Sequence, residues 1–204
     1  MAAFIPFANI VQVNLRYTME GQQCENTFHN KSTIAWTAPN MTTLAAIYYN
    51  WVDTDVKPLM VSDCVLQSIA VQDLTTQTSQ GVDVPAAPPI VGTAFGDPMP
   101  MNVTVAVKLN SLFRGRNWRG RSYFIGIPDP QVSGSFIDAT YAANLATAYN
   151  TLIATLSAAS WPLHVASRWN NRVRRTIGAT AEIVAASVEL TVDSQRRRLP
   201  GRGR

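Results

Sequence analysis

Hydrophobic and polar positions first alternate with a period of two along residues 11–19. Val11, Val13, Leu15, Tyr17 and Met19 are interleaved with Gln12, Asn14, Arg16 and Thr18, which predicts a strand with one face in a core and one in water. Gly21 supplies a turn, and a second short strand is predicted through Cys24, Asn26 and Phe28. The period then changes. Leu44, Ile47, Tyr48, Trp51 and Val52 recur at helical spacing behind Pro39 and Asn40, giving a helix over about 40–53, capped by Asn40 and closed by Asp53 to Pro58. A strand follows from Val65 to Asp73, with Val65, Ile69 and Val71 on one face. Alternation returns at Val103, Val105, Val107 and Leu109, is interrupted by RGRNWRGR, and resumes as a strand through Tyr123, Phe124 and Ile125. Asp138 is placed to cap a helix over 138–158 whose stripe is Tyr141, Leu145, Tyr149, Leu152, Ile153 and Leu156. The remainder reads as a strand at Leu163 to Ser167, a basic loop, and a long strand from about Thr180 to Val192.

Residues 75–100 follow neither period. They gather Gln, Thr and Ser, then VPAAPP and GDPMP, and are expected to form a long exposed loop of the kind that contacts a neighbouring subunit. Around it the order strand, strand, helix, strand occurs twice. The fold class implied is α+β, mainly antiparallel sheet with two helices, because the hairpins are local and only the helices could carry crossovers. The alternative is a viral jelly-roll sandwich with both helices as insertions. One structural domain is expected over 1–194, followed by a basic tail over 195–204.

Composition sharpens this picture. Of 204 residues, 47% are hydrophobic and only 15% charged, against about a quarter charged in an ordinary soluble domain, and the mean hydropathy is zero. So few charges suggest a surface covered largely by something other than water. No apolar run approaches the roughly 20 residues of a membrane span, so no membrane partner is expected. The opening MAAFIPFANIVQVN carries no basic residue ahead of its apolar ones and is not expected to be a secretory signal. Without one, the sequons at Asn30, Asn40 and Asn102 carry little meaning. Cys24 and Cys64 could form one disulfide, but they lack metal-ligand spacing and read first as two buried thiols.

Charge is distributed unevenly. Residues 1–113 hold four basic side chains (Arg16, Lys31, Lys57, Lys108) and eight acidic ones, a net of −4. Residues 114–204 hold thirteen arginines, no lysine and five acids, a net of +8. The arginines form three clusters: Arg114, Arg116, Arg119 and Arg121; Arg168, Arg172, Arg174 and Arg175; and Arg196, Arg197, Arg198, Arg202 and Arg204. Guanidinium offers a planar donor fork that matches phosphate and stacks on rings, so arginine in place of lysine points to such contacts. RGRNWRGR combines four arginines with Trp118 and flexible glycines, a composition that can follow a phosphate backbone while a ring stacks on a base. Arg168 beside Trp169 repeats the pairing, and QRRRLPGRGR could reach roughly 33 Å if extended.

Catalytic chemistry has no matching signal. There is no nucleophile elbow, phosphate loop, dinucleotide fingerprint or HExxH. His29 and His164 sit among apolar neighbours, and Asp53 and Asp55 flank a helix end. No catalytic residue, metal or cofactor is expected, and the chain is read as a non-enzyme.

The stretches YTMEGQQCENTFHN, LNSLFRGRNWRGRSYFIGIP and VDSQRRRLPGRGR resemble structural proteins of small viruses and phages known from environmental sequences, which end on DSQRRRLPGRG. The resemblance implies a virion structural protein, in the first place a coat protein, and carries over only to Asp193–Gly203 and the RGRNWRGR block. Together with the scarce charge, the long loop and the arginine clusters, the expectation is a coat protein that self-associates into a shell or tube inside the host cell and binds genomic, single-stranded nucleic acid through the arginines. Familiar small coat proteins carry their basic arm at the N-terminus, whereas Met1–Arg16 is almost uncharged, which weighs against the jelly roll. The alternatives are a connector or tail protein of a phage, whose arginines bind neighbouring subunits, and a stand-alone nucleic-acid-binding module.

Overall fold

A computed structural model describes residues 9–74, 81–84, 89–96, 103–113, 116–124, 126, 139–164 and 182–192. The first strand, β1 (Asn9–Met19), buries Val11, Val13, Leu15, Tyr17 and Met19 and turns its polar residues outward. It forms a hairpin with β2 (Gln22–Ser32), Met19 facing Gln22 across a two-residue turn. Glu20 and Gly21 both have positive φ, 50° and 74°, the combination whose twist matches that of the flanking strands.

Helix α1 (Ala38–Trp51) starts two residues before the expected position. Its cap is Thr37, whose hydroxyl accepts from the Asn40 amide at 3.4 Å, and not Asn40 itself. Pro39 explains the difference: a residue with no N–H and a fixed φ is favoured in the first turn, so the helix takes it in. After Trp51 the backbone continues through a π-turn (Val52–Val56) and a short 3-10 turn (Lys57–Leu59).

Strand β3 (Val65–Asp73) pairs antiparallel with the free side of β1. Strands β2 and β3 thus run parallel on either side of β1, so the chain between them must cross the sheet, and α1 makes that crossing. Residues 75–100, expected as one loop, carry two further strands. Both β4 (Gly81–Val84) and β5 (Ile90–Val91) pair with the outer edge of β3 at different points along it. Ile90 is buried, and a side chain at Gly92 would run into the backbone carbonyls of Met60 and Val61. Strands this short, separated by prolines, are too brief for a period to show, yet they cover an edge that would otherwise be open.

The second half repeats the plan. Strands β6 (Val103–Phe113) and β7 (Arg116–Phe124) form a hairpin, α2 (Ala139–Ala158) crosses over, and β8 (Glu182–Val192) pairs with the other side of β6. The strand orders, β2-β1-β3 and β7-β6-β8, correspond. Both first strands have eleven residues, and both shift register against their third strand at the same step, between Arg16 and Tyr17 and between Asn110 and Ser111. Val11, Val13 and Leu15 match Val105, Val107 and Leu109. The helices share Leu-Ala-x-x-Tyr, at Leu44–Tyr48 and Leu145–Tyr149. Each tyrosine is fully buried and hydrogen-bonds a polar residue of its hairpin's second strand, Tyr48 to Asn30 and Tyr149 with Ser122.

The fold is therefore α+β and mainly antiparallel, with the helices as crossovers. A jelly roll would join its strands by Greek keys; here hairpins and helix crossovers join them, and neither sheet closes. One core spans both halves, with Phe28, Tyr48, Trp51 and Tyr149 meeting at ring separations of 5.1–6.3 Å. The Trp51 indole donates to the Ala148 carbonyl at 2.7 Å, joining the helices. Leu163 and His164 run beside β2, where the His164 amide donates to the His29 carbonyl at 2.7 Å. The expected cap Asp138, Ile125, and positions 165–181 of the expected strand and basic loop lie outside the described residues.

Candidate nucleic-acid interface

RGRNWRGR was expected to interrupt the sheet as a loop; residues 116–121 instead continue β7. The alternation that marks a strand is hidden there by arginines on both pleats and by Gly120 in the middle. Register places Arg121 opposite Lys108, Arg119 opposite Asn110, Trp118 opposite Ser111 and Arg116 opposite Phe113. On the far side of β6, Lys108 faces Ser187 and Asn110 faces Ala185.

The two pleats of this sheet differ. Val107, Leu109, Ser122, Phe124 and Ala186 are buried on the pleat covered by α2. There the Tyr149 hydroxyl lies 3.2 Å from the Ser122 hydroxyl. The Asn150 side chain accepts from the Ala186 amide at 2.9 Å and donates to its carbonyl at 3.5 Å. Lys108 and Asn110, half-buried on the central strand, belong to the opposite pleat, and positions 119 and 121 pair with them. Trp118 and Arg116 occupy positions of the same parity as Ser122 and Phe124. The register thus places positions 119 and 121 on the pleat of Lys108 and position 118, whose ring was expected to stack on a base, on the other. Lys108 and Asn110 were missed by sequence reasoning, although their alternation with Val107 and Leu109 marked them as outward positions.

Arg114, Arg168, Arg172, Arg174, Arg175, Arg196, Arg197, Arg198, Arg202 and Arg204 lie outside the described residues. Arg16, on the outer pleat of the first sheet, is paired with Glu25 at 3.4 Å. The two border a shallow concavity of about 520 Å³ that Cys24 and Gln67 also line. Both cysteines are free thiols. Burial raises the Cys24 thiol above its ordinary value and, with a smaller contribution from Cys24, pushes Cys64 up to about 12, so both stay protonated at neutral pH and are poor nucleophiles. Among the described residues no three His, Cys, Asp or Glu side chains gather where a metal could sit. No described helix is long and apolar enough to cross a membrane. No family model, curated protein or solved structure matches the chain.

Proposed function

We propose that the protein is a virion structural protein, a coat subunit that self-assembles and holds single-stranded genomic nucleic acid through its arginine clusters. The observation that carries this reading is the register of the second sheet, which sets Arg121 directly across from Lys108 and Arg119 one rung pair away. Positions 108, 119 and 121 thus share one pleat, and phosphate is the ligand that arginine and lysine at such positions favour. The backbone of a strand also spaces successive outward positions about 6.8 Å apart, close to the interval between phosphates in an extended single strand. The other arginines, placed by sequence in a half with net +8, extend the same preference. The likeness to virion proteins supplies the assembly context, and the scarcity of charge suits a subunit covered by its neighbours.

The test is the salt dependence of binding to an unstructured single strand such as oligo-dT. Replacing Arg119 and Arg121 by Gln should reduce the slope of log affinity against log salt by roughly 1.4, about 0.7 for each phosphate that is no longer neutralised. Lys108→Gln should remove a further 0.7 or so. An unchanged slope in all three variants, with the fold intact by circular dichroism, would overturn the assignment of this pleat.

A further inference from the structure

We infer that the outward faces of α1 and α2 form the surface on which two copies of this chain associate. The inference rests on the self-assembly reading above and names the face that carries it. Helices α1 and α2 together span 34 residues without one Asp, Glu, Lys or Arg, where the chain average of 15% would place about five. A helix that packs one face on a core normally carries its charges on the other. Here the exposed positions include Thr42, Thr43, Ala46 and Asn50 on α1, and Ala143, Asn144, Thr147, Thr151, Ala154 and Thr155 on α2.

The threonines make this face drier than its composition suggests. Thr42 and Thr43 donate to the carbonyls of Ala38 and Pro39 at 3.0 and 2.9 Å. Thr147, Thr151 and Thr155 donate to the carbonyls of Ala143, Thr147 and Thr151 at 2.8, 3.1 and 2.9 Å. Their donors are already satisfied within the helix, so covering them leaves no hydroxyl hydrogen unpaired. The two faces are contiguous. A groove of about 200 Å³ runs between the helices, bordered by Ile47, Asn50 and Trp51 on one side and Thr151, Leu152 and Thr155 on the other. Among the described residues that line the groove, Asp55 alone is charged, and nearby Lys57 is paired with Asp53 at 3.2 Å, as expected of the polar rim around an interface.

Size and charge select the occupant. Helices of 14 and 20 residues are about 21 and 30 Å long and about 10 Å wide, so the face covers about 500 Å². Two copies meeting there would bury about 1,000 Å², the threshold for a specific contact. A phosphate backbone would find no cation on it. A surface without charge is, by contrast, complementary to itself, which an isologous contact requires.

The experiment uses the full chain, with sedimentation as the readout. Thr151→Glu, exposed and mid-face, sets two carboxylates against each other in the dimer and should weaken association by about 100-fold or more. Thr151→Arg should do the same alone, and an equimolar mixture of the two variants should restore association. Thr27→Glu, on the exposed outer pleat of β2, should leave it unchanged. Wild-type association by Thr151→Glu, failure of the mixture to recover, or association only with a different protein would overturn the inference. The coat reading fails separately. Nucleic-acid-filled particles of Thr151→Glu would sink the helix face and leave that reading standing; a wild-type dimer that never assembles further would do the reverse.

Discussion

Replacing Asn30 by Leu tests whether one buried amide joins the two halves. Asn30 is fully buried on β2. Its side chain accepts from the Tyr48 hydroxyl of α1 at 2.7 Å and donates to the Trp161 carbonyl, just past α2, at 2.8 Å. Leucine fills nearly the same space but leaves both partners without their bond, at about 1–3 kcal/mol each, so the substitution should cost about 2–6 kcal/mol. Tyr48→Phe orphans only the amide oxygen and should cost about 1–2 kcal/mol. With both changes the Tyr48–Asn30 bond is absent from both sides and only the Trp161 carbonyl stays unpaired. The double variant should then lose no more than Asn30→Leu alone, a coupling of about 1–2 kcal/mol. Urea unfolding followed by tryptophan fluorescence and circular dichroism measures all four chains, with coincident transitions required for the comparison. Strictly additive costs, or an Asn30→Leu loss under about 0.5 kcal/mol, would show that Asn30 does not join the two halves.

Three other outcomes follow from the same structure. Burial raises the hydroxyls of Tyr17, Tyr48, Tyr141 and Tyr149 above the ordinary 10.0, and Cys64 rises from 9.0 to about 12. Groups with raised folded values lend stability that is complete below the unfolded values and is lost above them, so unfolding midpoints should hold steady up to about pH 9 and fall beyond it. Each group should steepen that fall by up to about 1.4 kcal/mol per pH unit, and a flat profile to pH 11 or so would contradict the burial. Gly92→Ala should cost about 1–3 kcal/mol, because the added carbon meets the backbone carbonyls of Met60 and Val61, which cannot rotate away; a neutral result in urea unfolding would count against the placement of β5. Changing Arg196, Arg197, Arg198, Arg202 and Arg204 to Gln should lower the salt slope for single strands by roughly 3.5 without preference among sequences, while unchanged binding would assign these arginines to subunit contacts.

Long elements with a sustained period were legible. The alternation of Val11 to Met19 and the stripe from Leu145 to Leu156 correspond to β1 and α2 because burial on one face is what selects those residues. The doubled order of elements was legible as well. Its residue-level counterpart was not, since Val-x-Val-x-Leu and Leu-Ala-x-x-Tyr are common core patterns until register shows them in equivalent places. Elements held by tertiary pairing escaped: β4 and β5 exist because β3 offers an edge, and β7 because β6 offers one, whatever its arginines and Gly120 would prefer alone. The candidate interface was half legible. Arg119 and Arg121 stood out by composition, whereas Lys108 gains its meaning only from the strand it faces.

The proposed coat subunit builds a particle and fills it with nucleic acid. The most direct measurement is sedimentation of the full chain after expression alone and nuclease treatment, with absorbance read at 260 and 280 nm across the gradient and the fractions imaged by negative stain. A fast-sedimenting closed or tubular particle is expected, with nuclease-protected nucleic acid in the same fractions. A monomer at micromolar concentration and physiological salt, or particles with the absorbance of protein alone, would contradict it.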